Sequence, residues 1–442
     1  MATAIDPVLD DLATILRCLG CGRSDFTVSA TALTCRGCGV AIAVHDGIPH
    51  VRTADEDVAI TRERAAVQQM EEAPLLRSTD FSLASLLADR GALLDAFASL
   101  PYDDGSAFYR ENEYFQNVSG FAGVFDYVLT QLGPAAGGRV MDVGADLTWS
   151  TARLAARGWR AVGIDINQHL AAAQALRRRG PAYGVVNMDM HLPAFRDGAF
   201  DAIIAFNALH HTHRLEALIA TLAAALRPAG RLCVVEPYWY VEAVRQAFGA
   251  AQIEAGINEN VYRLEEWHRW FVQAGFELET FMISHSLNAI YVKRPAGERP
   301  RTLTLAAAET ELFSRHYDVA FVAPGELPTT VPAGATFELP VTVVNRGQAG
   351  WSSEGQIPVF ASYHLYRRDG GARTVAAFDN QRTPLGAYLP PDTSRLLRLK
   401  VTAPATPGEY ELELDLVHEA RCWFTEQGGT PASVRLHVVA AG

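Results

Sequence analysis

The stretch VMDVGADLTWS, Val140 to Ser150, with GIDIN at Gly163 to Asn167, decides how the chain reads. A short apolar run, Val140-Met141, ends in Asp142, passes through a small-residue turn and enters a helical pattern from Ser150 to Arg157. Arg160 to Ile164 then forms a second apolar strand, ending in Asp165. Strand, glycine turn, helix, strand, acid is the first half of a doubly wound α/β nucleotide-binding sheet. The second acid follows Asp142 by 23 residues, the reach a carboxylate needs to bond ribose hydroxyls.

Around this unit the chain has room for two or three domains, since its 442 residues exceed what one hydrophobic core usually organises. Hydrophobic residues at 49% and charged residues at 20% describe an ordinary globular protein. A formal charge of −12 argues against a nucleic-acid binder that relies on counterion release. The opening MATAIDPVLDDLATIL lacks a basic region followed by an apolar one, so no signal peptide is read. No apolar run approaches the roughly 18 residues of a membrane span, and a cytoplasmic location is expected.

Four of the six cysteines come early, as Cys18-x2-Cys21 and Cys35-x2-Cys38, separated by an expected hairpin from Asp25 to Thr34. Each Cys-x-Gly-Cys turn brings two thiolates toward one tetrahedral ion, and four such ligands suit structural zinc with no open position. Two disulfides or a redox pair are the competing reading. With VHDGIPHV at Val44 to Val51, this segment resembles the zinc ribbon that precedes many bacterial methyltransferases. Cys233 and Cys422 lie in apolar strands and read as core residues.

From Asp55 to about Leu100 the pattern is helical. Glu56 to Glu72 alternates charges like a solvent-exposed helix, and Phe81 to Leu100 carries apolar residues at helical spacing. An aromatic cluster follows, Tyr102, Phe108, Tyr109, Tyr114, Phe115 and Phe121, readable either as core or as a lid over a ligand.

The central segments then run in order. Ala182 to Val186 leads to Asn187-Met188-Asp189-Met190, then to HLPAFRDGAFD (His191 to Asp201) and IIAFNALHHT (Ile203 to Thr212). A helix from Leu215 to Leu226 ends at Arg227-Pro228-Ala229-Gly230, and a strand from Arg231 to Val235 delivers Glu236. This order resembles the class I S-adenosylmethionine-dependent methyltransferases over about Phe115 to Lys293, with Gly275 to Glu279 and His285 to Arg294 as the closing hairpin.

The resemblance implies roles residue by residue. Asp142 and Gly144 would line the methionine end of the cofactor, Asp165 would accept bonds from the ribose, and Ile166 would pack on the adenine. Asp189 would bond the adenine amino group with Met190 donating its backbone N–H, and Phe206 and Asn207 would face the sulfonium. Read without the resemblance, Asp142 could simply bond turn amides and Asp189 could cap the following turn. The family's first motif usually reads D-x-G-x-G-x-G, but here Asp146 and Thr148 replace the later glycines. Asp146 either pairs with the cofactor's ammonium group or crowds its carboxylate. His210 or His211, just after the fourth strand, is the candidate base for an alcohol or amine acceptor, or else packs or caps. Substrate contacts are expected from Tyr238, Trp239, Tyr240 and Asn258 to Tyr262.

Near Pro295 the composition changes to a linker, PAGERPR, and a short helical stretch from Ala306 to His316. Seven strands follow: Tyr317–Val322, Thr336–Asn345, Val359–Tyr366, Ala376–Phe378, Ser394–Thr402, Glu409–Val417 and Ala432–Val439. They predict a β-sandwich that resembles immunoglobulin-like modules. Its aromatic residues serve either carbohydrate binding or the sandwich core, and the module reads as one for binding or assembly. The expected domains are a zinc ribbon (1–52), a helical linker (53–100), a Rossmann-like methyltransferase domain (101–295), a second linker (296–316) and the sandwich (317–442). The expected activity is methyl transfer from S-adenosylmethionine to O or N of a small molecule or glycan. The rivals are an rRNA or tRNA methyltransferase and a non-catalytic scaffold or glycan-binding protein on a degenerate fold.

Overall fold

Every residue of the strand Arg139–Val143 (β1) is buried, as befits a strand covered by helices on both faces. The structure, a computed structural model, describes residues 6–53, 56–72, 82–295, 297, 301–322 and 330–440. Ala296 and Glu298 to Pro300 of the expected linker, and Phe81, lie outside the described residues. Beside β1 run Arg160–Asp165 (β2), Gly184–Asn187 (β3), Phe200–Phe206 (β4) and Leu226–Glu236 (β5), all parallel. Phe276–Ile283 (β6) and Leu287–Lys293 (β7) close the sheet as an antiparallel hairpin. The order is β3-β2-β1-β4-β5-β7-β6. The order reverses between β1 and β4, and a doubly wound sheet opens its ligand crevice at the carboxyl ends of such strands.

β5 begins earlier than the sequence reading placed it, at Leu226. Its pairing with β4 skips from Phe200↔Leu226 to Ala202↔Arg231. Pro228 has no N–H to offer the ladder and Ala229 is left-handed at φ 60°, so these residues bulge out.

Both flanking parts extend this sheet. The four strands Phe26–Val28, Ala32–Cys35, Ala41–His45 and Ile48–His50 form an antiparallel meander that joins β3 through His50↔Asn187. The helix Pro7–Ile15, capped by Asp6, lays Leu9, Leu12 and Ile15 into the shared core, and Asp11 pairs with Arg139 of β1 at 2.7 Å. At the other edge Ala349–Gly350 pairs in parallel with β6.

The C-terminal part holds two sheets. One is built from Val319–Val322, Thr336–Asn345 and Ser394–Thr402. The other centres on Val359–Asp369, Gly408–His418 and Ala432–Val439. Tyr410, Leu412, Leu414 and Leu416 are buried on alternate positions of one strand, and Leu339, Val341 and Val343 of the facing sheet belong to the same core. Among the aromatic residues of this part, Tyr363 and Phe424 are fully buried, as core residues are.

The segment read as a solvent-exposed helix is a helix, Val58–Glu72, but it is not exposed all round. Ile60, Glu63 and Ala66 are buried, because their three-residue spacing puts them on one face against the central domain. The next helical run is broken in two, Leu83–Ala88 and Ala92–Ser99, where Asp89 Oδ2 accepts from the amides of Gly91 and Leu94.

Candidate functional site

A cavity of about 570 Å³ opens at the carboxyl ends of β1, β2 and β4. Its floor begins with the loop after β1. Gly144 takes φ 72°, and a Cβ there would stand 2.5 Å from the Ala208 Cβ, so both conformation and space require glycine. Asp146 and Thr148, which replace the other two glycines, hold φ 41° and 61°. The loop therefore keeps a left-handed backbone at all three places without three glycines. Aspartate tolerates that region, whereas a β-branched threonine is a rare occupant. Thr148 is held there by full burial and a 2.9 Å bond to the Tyr183 hydroxyl.

Asp142 does not line the cavity. It is buried behind the loop, where the Ser150 and Thr151 hydroxyls each donate to its Oδ2 at 2.6 Å and anchor the helix Trp149–Ala156. Burial pushes its carboxyl up to about 6, against the pull of those hydroxyls. Asp165 does line the cavity, accepting from the amides of Asp146 at 2.9 Å and Asn167 at 3.1 Å. Burial, then the neighbouring Asp146 carboxylate, push it up to about 6.

Asp146 is engaged sideways. Its Oδ1 lies 2.5 Å from His169 Nδ1 and 3.4 Å from Asn167 Nδ2. Burial would raise its pKa, but His169, the Leu147 amide and Asn167 together hold the carboxyl below its usual range. Ile166, Asp189 and Met190 complete this wall. Asp189 Oδ1 accepts from the His191 amide at 2.9 Å and from His191 Nδ1 at 2.7 Å, which keeps Asp189 low despite burial.

At the end of β4, Phe206 and Asn207 face the cavity, Asn207 at φ 52°. Phe206 packs edge-on with Phe121 at 5.1 Å and Trp149 at 6.0 Å. The aromatic cluster before β1 divides: Tyr114 and Phe121 line the cavity, while Tyr109 and Phe115 are buried in the core beside Phe97.

The two neighbouring histidines part company. His210 is buried, with Nδ1 2.7 Å from Glu236 and Nε2 3.3 Å from Glu259. Burial alone would lower its pKa, but the two carboxylates raise it to about 9. Glu236 is fully buried and accepts from the amides of Ala208 and Leu209, so it fastens the turn that carries both histidines. His211 lines the cavity. Its Nδ1 lies 2.8 Å from the Asn258 carbonyl oxygen, which can only accept, so Nδ1 carries the proton and Nε2 keeps a lone pair. Burial and the adjacent His210 cation hold His211 below its ordinary range.

Glu63, on the helix Val58–Glu72, was not singled out in the sequence. It lines the cavity with Ile60 and Val67, and burial pushes it up to about 7 while the Asn258 amide, donating at 2.8 Å, pulls the other way. Its Oε1 stands 3.6 Å from His211 Nδ1. The apolar spacing Ile60–Val67 around a lone acid was the available signal. Tyr238, Trp239 and Tyr240, expected as substrate contacts, lie elsewhere. Tyr238 is buried and donates to the Ser284 carbonyl, Trp239 lies between Arg245 and Arg263, and the Tyr240 amide donates to Gln356 of the C-terminal part. Of Asn258 to Tyr262, Asn258, Glu259 and Asn260 reach the histidines, Asn260 by donating to the His210 carbonyl.

The four early cysteines converge. Cys18 Sγ is 3.5 Å from Cys38 Sγ, Cys21 Sγ is 3.5 Å from Cys35 Sγ, and all four sulfurs lie within 4.8 Å of one another. A disulfide needs about 2.05 Å. A tetrahedron with metal–sulfur bonds of about 2.3 Å has edges of about 3.8 Å, which these separations approach.

Known proteins resemble the central part. The chain is 33% identical to the demethylmenaquinone methyltransferase of Tropheryma whipplei (strain Twist) over 108 residues, 24% of this chain and 44% of that protein. It is 35% identical to the demethylmenaquinone methyltransferase of Corynebacterium glutamicum (strain R) over 100 residues, 23% of this chain and 42% of that protein. The chain thus spans less than half the length of these curated relatives. Among solved structures it is similar to magnesium protoporphyrin IX methyltransferase from Synechocystis PCC 6803 with bound SAH, at 19% identity, 46% of this chain, 98% of that chain and a TM-score of 0.35. Residues 109–280, the span that carries β1 to β5, match the family model of a methyltransferase domain.

Proposed function

We propose that this protein is an S-adenosylmethionine-dependent methyltransferase acting on a small-molecule or glycan acceptor. The observation that carries the reading is the cavity where the sheet order reverses, lined together by Gly144, Asp165, Asp189 and Phe206. Gly144 leaves room for backbone approach, Asp165 offers two carboxylate oxygens to ribose hydroxyls, and Asp189 with Met190 faces the base. Asp142 acts from behind by anchoring the loop. The donor supplies a methyl group on a positively charged sulfur. Tyr114, Phe121 and Phe206 provide an aromatic wall that excludes water and suits a cation. His211 Nε2 is the proton acceptor, and His210 is a charged fixture that keeps its neighbour neutral. Four thiolates around one structural Zn²⁺ hold the N-terminal meander, and the C-terminal sheets serve as an immunoglobulin-like module for a protein or carbohydrate partner.

Calorimetric titration of the full chain with S-adenosylmethionine and S-adenosylhomocysteine tests the reading. Micromolar binding that Asp165→Asn weakens at least tenfold supports it; no heat at millimolar ligand refutes it and favours a non-catalytic scaffold.

A further inference from the structure

We propose that the acceptor end of this cavity takes an amine, and that Glu63 is the carboxylate that recognises its cation. The inference rests on the methyltransferase reading and names the acceptor class. Four carboxylates, Glu63, Asp146, Asp165 and Asp189, line the cavity, and no Lys or Arg does so among the described residues. An acid, a phosphate or an oxyanion would meet four carboxylates and, among the described residues, no ammonium or guanidinium. Three of the four are committed elsewhere: Asp146 to His169, Asp189 to His191, and Asp165 to two loop amides at the ribose position.

Glu63 is different. Its residue is 6% exposed, Oε2 accepts from Asn258, and Oε1 accepts no hydrogen bond from a described residue. Oε1 therefore keeps acceptor capacity at the cavity wall, which a ligand N–H can use. Glu63 also comes from the helix Val58–Glu72, which lies before the span that matches the methyltransferase domain. The surrounding Ile60, Tyr114, Val118 and Phe121 present apolar and aromatic surface, so the amine's body is apolar.

The direction of charge movement separates nitrogen from oxygen. An ammonium held at Glu63 first gives one proton to His211 Nε2. The freed lone pair then forms the N–C bond to the methyl carbon as the C–S bond breaks, and that bond's electron pair stays on sulfur. Positive charge thus moves from sulfur to nitrogen, toward Glu63, and a carboxylate placed there stabilises the transition state more than the ground state. Methylation of an alkoxide or phenolate would require negative charge to develop beside the same carboxylate.

The test uses the full chain saturated with S-adenosylhomocysteine and matched probes: phenethylamine and tyramine, the alcohol 2-phenylethanol, and phenylacetate. Calorimetry is expected to show each amine binding at least tenfold more tightly than the alcohol, with no binding of the acid. In Glu63→Gln the preference for amine over alcohol falls below threefold while S-adenosylhomocysteine affinity is retained, which also shows that the variant is folded. Equal binding of amine and alcohol, or an undiminished preference in Glu63→Gln, overturns the proposal and leaves the methyltransferase reading standing. Absence of S-adenosylhomocysteine binding overturns both.

Discussion

His210 provides a quantitative test of how the turn after β4 is held. Its imidazole is buried between Glu236 and Glu259, which hold its pKa at about 9 against an ordinary 6.5. At about 1.4 kcal/mol per pKa unit, that difference corresponds to about 3 kcal/mol of stability. The folded state binds this proton more tightly than the unfolded chain. The contribution is therefore complete below pH 6.5 and is lost as pH rises through about 9. The perturbation is the double variant His210→Gln, Glu236→Gln, which removes the imidazole and its Nδ1 partner but leaves an amide oxygen to accept from Ala208 and Leu209. Urea unfolding of both proteins at pH 6.5 and pH 10 gives the difference directly, since the cysteines titrate alike in each. Wild type is expected to lose about 3 kcal/mol more than the variant across that interval. Carbon-13 labelling of histidine in the native protein should show the His210 ring still protonated at pH 7.5. Parallel stability profiles, or a His210 ring titrating near 6.5, would refute the assignment of His210 as a charged fixture.

Thr148→Gly exchanges relief of left-handed strain, about 1–2 kcal/mol, for loss of the Tyr183 bond, and should shift stability by less than about 1 kcal/mol. Thr148→Val keeps the strain and leaves the buried Tyr183 hydroxyl without that partner, so urea unfolding should show a loss of about 1–3 kcal/mol. Gly355→Ala would place a Cβ 1.9 Å from the Ser284 carbonyl oxygen at φ 92°, and limited proteolysis should show the C-terminal sheets detaching from β6 and β7. Zinc measured by mass spectrometry should be near one ion per chain and fall to near zero in Cys18→Ala with Cys35→Ala, with loss of the meander's exchange protection.

The doubly wound sheet was legible because its signals are local. A strand ending in Asp142, a turn with Gly144 and a strand ending in Asp165 each follow from a few adjacent residues. The roles of the charged groups were not legible, because burial is decided by elements distant in sequence. Glu63 sits in TRERAAV as one more charge on a charged helix, and only the docking of Ile60 and Ala66 turns it inward. His210 and His211 are adjacent and chemically identical and their rings lie 4.3 Å apart, yet elements distant in sequence reach them differently. One therefore meets Glu236 of β5 and Glu259, while the other faces the cavity. The glycine departures make the same point from the opposite side. A motif reads residue identity, whereas the cavity needs a backbone conformation, and Asp146 and Thr148 hold that conformation through His169 and Tyr183. The departures thus move strain from the loop onto two side-chain contacts that no local pattern could reveal.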